Sequence, residues 1–335
     1  MNTSAQNGKT QTAPILFWVA GTVISVIALV LAVRGVRWND VWEAIRGARW
    51  PLVLLSLITV LLTTLAKAER WRWLLYPEHQ RLRRRDLLAA LLVGQMLNTL
   101  VPARAGDLAR AYHLGEQSRI SKATVLGSVV AEKSMDMLML ALCTLVTVPW
   151  LYFVPWIEES TLVLAATSLG ALLAVLTMAW FGERLLERLY PLLSRLPIGE
   201  RLSRLGRSGV NGLQVFRNGR ASLIAWIGSV LTYILAASTN YVLFAAMDIR
   251  LPAYVGLLLM VVLYIGAAPP SLPGKIGIFH GITVLTLTAF GVSSSTALAY
   301  GAILHLLIYV PPTVLGLGVL IWQPRQGAQS SEPLS

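Results

Sequence analysis

Arg104 and Lys275 stand in the same short pattern of residues. VPARAGDLAR at Val101–Arg110 is echoed by LPGKIGIFHG at Leu272–Gly281, pairing Pro102 with Pro273, Arg104 with Lys275 and Gly106 with Gly277. Further on, IS-x-x-T-x-L at Ile120–Leu126 recurs as VS-x-x-T-x-L at Val292–Leu298. Both echoes lie roughly 171 residues apart, so the chain reads as one unit written twice, and each copy brings a Pro/Gly-broken segment and a cation. A helix that restarts after such a break turns free N–H groups and partial positive charge towards it. With Arg104 and Lys275 adding full charges, the two breaks describe an anion site suited to a phosphate. The alternative is that Pro102, Gly106, Pro273, Gly274 and Gly277 only shape turns while the two cations snorkel to an interface.

Neighbouring polar residues extend this chemistry. His280 falls just after the second break, where it could touch the anion or serve as an interior hydrogen-bond donor. Asp107 can cap its helix or pair with Arg104 or Arg110, which would weaken the anion site. Asn98 precedes the first break and suits freed backbone N–H or C=O groups. Glu132, Lys133 and Asp136 lie inside the apolar run that starts at Ala123. Glu132 and Asp136 share a helix face, and Lys133 can pair with Asp136 at i+3. Charges at such depth face a cavity or one another, so these three form either a gate or coupling site, or a self-neutralising triad. In the repeat alignment Lys133 corresponds to His305, so both copies put a potential cation there.

Other chemistries are not supported. Four scattered histidines and no HExxH pattern give no metal site, and there is no Walker A or dinucleotide fingerprint, so no cofactor is expected. GVSSS at Gly291–Ser295 is not a nucleophile elbow. Cys143, the only cysteine, excludes an intrachain disulfide.

The elements that must hold these residues are membrane helices. Hydrophobic residues make up 56% of the 335 and charged residues only 13%, far below the roughly 25% of soluble domains. Runs long enough to span are Ile15–Val33, Leu52–Ala66, Ala123–Trp150, Leu162–Phe181 and Ala221–Met247, and the first is read as a retained span. The net charge of +12 does not point to nucleic acid, because the basic residues crowd into loops beside apolar runs. Lys67–Asp86 holds seven basic residues and 182–220 eight arginines, so both are assigned to the cytoplasm. Leu151–Ser160, with Glu158, Glu159 and flanking aromatics, is assigned outside. These assignments agree only if Leu87–Val101 enters from the cytoplasm and turns back at Pro102–Gly106; its 15 residues reach roughly 22 Å, short of a 30 Å core. Ala253–Ala268 is similarly short and would dip from the other side. The expected fold is an all-α integral membrane protein: an inverted-topology repeat with about six full spans and two opposed re-entrant helical hairpins. Its single membrane domain would cover 14–322, with repeat one at about 50–150, repeat two at about 221–322, and cytoplasmic, disordered tails at 1–13 and 323–335.

Two segments need separate readings. Arg34–Arg49 should be external yet holds four arginines. Trp38, Val41, Trp42 and Ile45 follow helical i, i+3, i+4, i+7 spacing, so this segment reads as an amphipathic helix on the membrane surface. Lys67, Glu69, Arg70 and Arg72, beside Trp71 and Trp73, read as anchors at the cytoplasmic end of a span.

The run GQMLNTLVPARAGDLARAYHL at Gly94–Leu114, VVAEKSMDML at Val129–Leu138 and LPGKIGIFHGI with its trailing GVSSSTAL resemble the lysylphosphatidylglycerol synthase transmembrane-region family, whose members are also called flippase-like domain proteins. The resemblance runs from about Ile15 to Trp322. It implies a membrane domain associated with lipid flipping, found alone or fused to a soluble aminoacyl-transferase. It also implies functional positions at Asn98, Pro102, Arg104, Gly106, Asp107, Arg110, Glu132, Asp136, Pro273, Gly274 and Gly277. Lys133 stands where the family pattern has Arg, and Ala103 where Gly is usual. Only a short polar tail follows the last span, so lysyl-lipid synthesis is not expected of this chain.

The leading expectation is a non-enzymatic, inner-membrane lipid translocase with both termini in the cytoplasm. Arg104, Lys275, Asn98, Asp107, Arg110 and His280 would meet the headgroup, and Glu132, Lys133, Asp136 and His305 would gate or couple its path. Its partners are membrane lipids and a possible separate lipid-modifying enzyme. The alternatives are a membrane-embedded transferase using Asp107, Glu132 or Asp136 as base, and a non-transporting partner of such an enzyme.

Overall fold

The computed structural model describes residues 12–101, 105–118, 120–151, 218–266 and 272–322, together with Val215 and scattered positions between 166 and 191. Ten helices account for most of them: α1 Thr12–Val33, α2 Trp38–Arg46, α3 Trp50–Leu74, α4 Arg84–Leu100, α5 Ala105–Ser118, α6 Lys122–Leu151, α7 Gly219–Ala246, α8 Ala253–Gly266, α9 Ile278–Ala289 and α10 Ser294–Trp322. Single 3₁₀ turns lie at Glu78–Gln80 and Pro273–Lys275. No strand occurs among the described residues. Outside them lie the expected tails (1–11 and 323–335), the acidic loop after Leu151 and, apart from isolated positions, the apolar run Leu162–Phe181 and the arginine-rich stretch up to 217.

Among the described residues three helices, α3, α7 and α10, are long and apolar enough to cross a membrane, and α1 with α2 is a fourth candidate bent by 83°. Their outer faces carry Ile27, Leu54, Ile58, Ile227, Ile234, Leu306 and Ile321, all exposed. Lipid, not water, is the solvent for such faces, and the chain is an integral membrane protein. α6 has 30 residues, about 45 Å of helix, but interrupts its apolar run with Glu132, Lys133 and Asp136. α4, α5, α8 and α9, with 17, 14, 14 and 12 residues, are each shorter than a roughly 30 Å core.

Local chemistry sets several boundaries. The α1–α2 bend uses Gly35 at φ 76. In α2 the expected apolar stripe divides: Val41 is buried and Ile45 packs beside it, while Trp38 and Trp42 face outwards. α3 starts with a proline in its first turn and runs on to Leu74, past the Ala66 at which the apolar run ends. Asn218 caps α7, its side chain accepting from the Ala221 N–H at 3.0 Å.

Residue pairs fix how the helices run. Arg70 meets Ser229 and Thr59 meets Thr239, so α3 and α7 are antiparallel. The Gly106 N–H donates to Asn98 Oδ1 at 2.9 Å, and Gly94 packs on Arg110. α4 and α5 are therefore antiparallel, the chain reversing between Val101 and Ala105. A Cβ at Gly106 would overlap the Gly94 carbonyl, so this close crossing needs glycine. Asp107–Lys133 and Arg110–Glu132 place α5 antiparallel to α6. The second half does the same: Gly266 faces Ile282 across α8 and α9, and His280 and Thr283 face His305 and Gly301 across α9 and α10.

Between halves, α10 packs on α4 while α6 packs on α8, and the Pro273–Lys275 turn lies against α4. α1 covers α9, where Gly277 at φ 92 sits against the Ser25 carbonyl. One apolar cluster gathers around Trp71, Leu87, Leu114 and Met135, another around Phe244, Leu259, Tyr300 and Leu304. A small group, Met139, Tyr233, Met260 and Val261, joins α6 to α7 and α8.

Candidate functional site

Three charged side chains on α6 meet partners from two other helices, α3 and α5. Arg70 of α3 has a fully enclosed side chain, with Nη1 2.7 Å from Asp136 Oδ1 and Nη2 3.5 Å from Glu132 Oε1. Its Nη1 also donates to Ser229 Oγ of α7 at 3.3 Å. Gly228 leaves room for it, since a Cβ there would come within 3.1 Å of Arg70 Cβ. Arg110 of α5 lies 2.9 Å from Glu132 Oε2 and 3.6 Å from Asp107 Oδ1. Its guanidinium lies over the Trp71 ring at 4.8 Å, and the Trp71 Nε1–H donates to Ser128 Oγ at 3.0 Å. Lys133 Nζ ends the series 3.4 Å from Asp107 Oδ2.

The charges therefore alternate: Asp136, Arg70, Glu132, Arg110, Asp107, Lys133. Three carboxylates balance three cations, which is the condition for keeping such groups out of water. Its centre is sealed and its ends are open, because Asp136, Asp107 and Lys133 side chains are 27%, 22% and 43% exposed against 0%, 6% and 3% for Arg70, Glu132 and Arg110. Guanidinium suits this place better than ammonium, having five donors on a rigid plane. Nη2 and Nε of both arginines make no hydrogen bond among the described residues, so the network holds spare donors.

Tyrosines connect this network to the second half. The Tyr233 hydroxyl donates to the Asp136 carbonyl at 2.8 Å, and its ring stacks on Tyr264 of α8 at 6.0 Å. Lys67 Nζ reaches the Tyr264 hydroxyl at 3.5 Å. In the second hairpin the chemistry differs. Gly274 and Lys275 hold positive φ of 69° and 57°, and the Gly274 carbonyl accepts from His305 Nε2 at 2.6 Å. His280 and His305 have ring centres 5.0 Å apart, with Phe279 and Tyr309 closing the cluster. The Lys275 ammonium is 6.0 Å from the Tyr309 ring centre.

The sequence-predicted residues thus separate into two groups. Asn98, Gly106, Asp107, Arg110, Glu132, Lys133 and Asp136 come together at the first hairpin; Pro273, Gly274, Lys275, Gly277, His280 and His305 do so at the second. Pro102 and Arg104 lie outside the described residues. Two readings need correction. Lys133 pairs with Asp107 and not with Asp136, because α5 brings a carboxylate nearer than one helical turn does. Arg70 does not anchor a span end: α3 continues to Leu74, which turns Arg70 inwards. Glu69 and Arg72 do stay at that end, paired with each other and with Arg84. The sequence carried a signal for this. Ser56, Val60, Thr63, Thr64, Ala68 and Trp71, all buried, keep a helical spacing that passes Ala66 without a break.

This is a polytopic α-helical membrane protein whose buried ion network joins two long helices, α3 and α6, to the short, back-folded α5. The chain belongs to the family described as the lysylphosphatidylglycerol synthase TM region, which it matches over residues 18–316. It is 27% identical to a UPF0104 membrane protein of Methanothermobacter thermautotrophicus, over 93% of this chain and 96% of that protein. A UPF0104 membrane protein of Methanocaldococcus jannaschii is 19% identical, over 88% of this chain and 91% of its own. The glycosyltransferase AglD of Haloferax volcanii is 28% identical over 123 residues, 37% of this chain but only 20% of that protein. No solved structure matches.

Proposed function

We propose that the chain is a lipid translocase of the cytoplasmic membrane, moving an anionic or phospho-linked headgroup along a polar path between two half-deep hairpins while the acyl chains stay in lipid. The observation that carries this reading is the antiparallel pairing of α3 with α7. These helices occupy equivalent places in the two copies, so their opposed directions support an inverted repeat. The packing agrees with a two-fold exchange, α10 on α4 being matched by α6 on α8. Short α4–α5 and α8–α9 hairpins then enter from opposite leaflets, and α1, α3, α6, the segment around 162–181, α7 and α10 make six spans with both termini inside. Arg104 and Lys275 bind the phosphate, helped by Asn98 and His280, while Asp107 and Arg110 belong to the alternating network, which opens and closes the cytoplasmic entry. Its exposed ends and sealed middle support a gate.

The test is reconstitution in liposomes with acyl-labelled phosphatidylglycerol, following loss of label to an impermeant quencher. The reading predicts protein-dependent movement, reduced at least about tenfold in Arg104→Ala/Lys275→Ala, a loss of about 1.4 kcal/mol in binding. Equal rates would remove both residues from the mechanism. The partial likeness to AglD favours a second reading, a transferase on a lipid-linked substrate, or a membrane partner for such an enzyme. Lipid analysis of a deletion strain separates them: a missing lipid species supports synthesis, and an altered leaflet distribution supports transport.

A further inference from the structure

The second hairpin differs from the first in one respect that its geometry makes consequential. Between Asp248 and Glu332 the sequence has no Asp or Glu, so α8, α9, α10 and their turns carry no carboxylate. Half of the chain's four histidines nevertheless meet there, His280 on α9 and His305 on α10, with ring centres 5.0 Å apart. A carbonyl oxygen only accepts, so the 2.6 Å contact with Gly274 puts a hydrogen on His305 Nε2 and leaves Nδ1 as the basic atom of the neutral ring. His280 Nδ1 is buried and makes no hydrogen bond among the described residues.

We propose that His280 and His305 form a proton-binding site in the second hairpin, and that the proton they take up travels with the anionic headgroup. At this separation a second positive charge is disfavoured by the first, so the pair binds one proton. Among the described residues the surroundings offer it no internal counter-ion. α10 presents Tyr309, with its ring 4.7 Å from His305, and the tip presents Lys275, while on α8 Tyr264 stacks on Tyr233 and Tyr254 meets Phe290 at the other end of α9. α1 presents Ser25, and α7 packs Asn240 on Tyr300. Acids on the other packed helices are engaged elsewhere: Asp40 of α2 with Arg37, Asp86 of α4 with Arg85, and Glu69 of α3 with Arg72 and Arg84; Glu43 lies on α2, which packs on α10. An imidazolium formed here therefore adds to Lys275 and is compensated by an anion from outside. A headgroup monoanion and one proton make a neutral load, and losing the proton weakens the hold on the phosphate. Because His305 also holds the Gly274 carbonyl, the charge of the pair is linked to the position of the tip, whose residues 274 and 275 are left-handed.

This rests on the transport reading, and the experiment separates the two. The full chain is reconstituted in phosphatidylcholine vesicles with labelled phosphatidylglycerol, the membrane potential clamped, and a gradient of one pH unit imposed in either direction. Movement should be at least about threefold faster with the acidic side at the starting leaflet, accompanied by proton flux to an internal pH dye, and His280→Gln and His305→Gln should each lose the asymmetry. Wild-type movement that is equal in both gradients overturns the proposal and leaves transport standing; this arm needs no variant to fold. Absence of movement under every condition overturns transport instead. Proton binding is then read by ¹⁵N-histidine NMR of the full chain in nanodiscs. One protonation step for the pair between about pH 5 and 8 supports the site, and two independent steps or none overturn it.

Discussion

Replacing Arg70 by methionine removes one cation and keeps most of the side-chain volume, so its consequence is mainly electrostatic. Asp136 then loses its 2.7 Å partner, whereas Glu132, 3.5 Å from Arg70, keeps Arg110 at 2.9 Å. Charge centres about 4 Å apart attract by about 4 kcal/mol at an effective dielectric of 20, and breaking a buried pair from one side costs about 3–5 kcal/mol. Arg70→Met is expected to destabilise by that amount. Asp136→Asn in the same chain should restore more than half, since the stranded carboxylate is the main cost. Glu132→Gln should restore less, because it strands Arg110. The assay is reversible unfolding in mixed micelles, read as a double-mutant cycle of Arg70→Met with each partner. A coupling of about 2 kcal/mol or more for Asp136 and a smaller one for Glu132 fits the network. A cost below about 1 kcal/mol for Arg70→Met, or equal coupling to both, would refute the reasoning.

Three further outcomes follow from the packing and the titratable groups. Gly106→Ala puts a methyl into the Gly94 carbonyl and the Asn98 side chain, and should cost about 1–3 kcal/mol; Gly219→Ala, with open space around it, should stay within about 0.5 kcal/mol. Both are read by the same unfolding assay. His79 stacks on Trp73 and Tyr76 outside the spans, and burial, followed by the charge of Arg72, holds its pKa below 6.5. The folded state thus favours neutral His79, so its contribution is full above pH 6.5 and is lost as pH falls below that value. His79→Gln should flatten the acid side of a Tm-versus-pH curve. Lys133→Met leaves Asp107 with Arg110 at 3.6 Å and at a partly exposed position, so its cost should be below about 2 kcal/mol, well under that of Arg70→Met.

Much of this arrangement is legible in the residue order. The i, i+3, i+4 pattern at Trp38–Ile45 predicts α2, and the paired Pro/Gly strings predict breaks where α4 gives way to α5 and α8 to α9. Short apolar runs before each break match helices of 17 and 14 residues. What is not legible is which charges meet. Arg70 and Asp136 are 66 positions apart and join only because α3 and α6 pack together, and a cation near the end of an apolar run has the same composition whether it faces phosphate or protein. The His280–His305 contact is hidden for the same reason, the two rings lying on successive antiparallel helices.

The central claim is that the two hairpins enter from opposite leaflets, and the turns at their bases report on it most directly. Single cysteines at Ser121, between α5 and α6, and at Ser293, before α10, are introduced on a Cys143→Ser background and exposed to an impermeant thiol reagent in sealed, right-side-out vesicles. The account predicts that Ser293→Cys is labelled from outside and Ser121→Cys only after the membrane is opened. Labelling of both from the same side would contradict it.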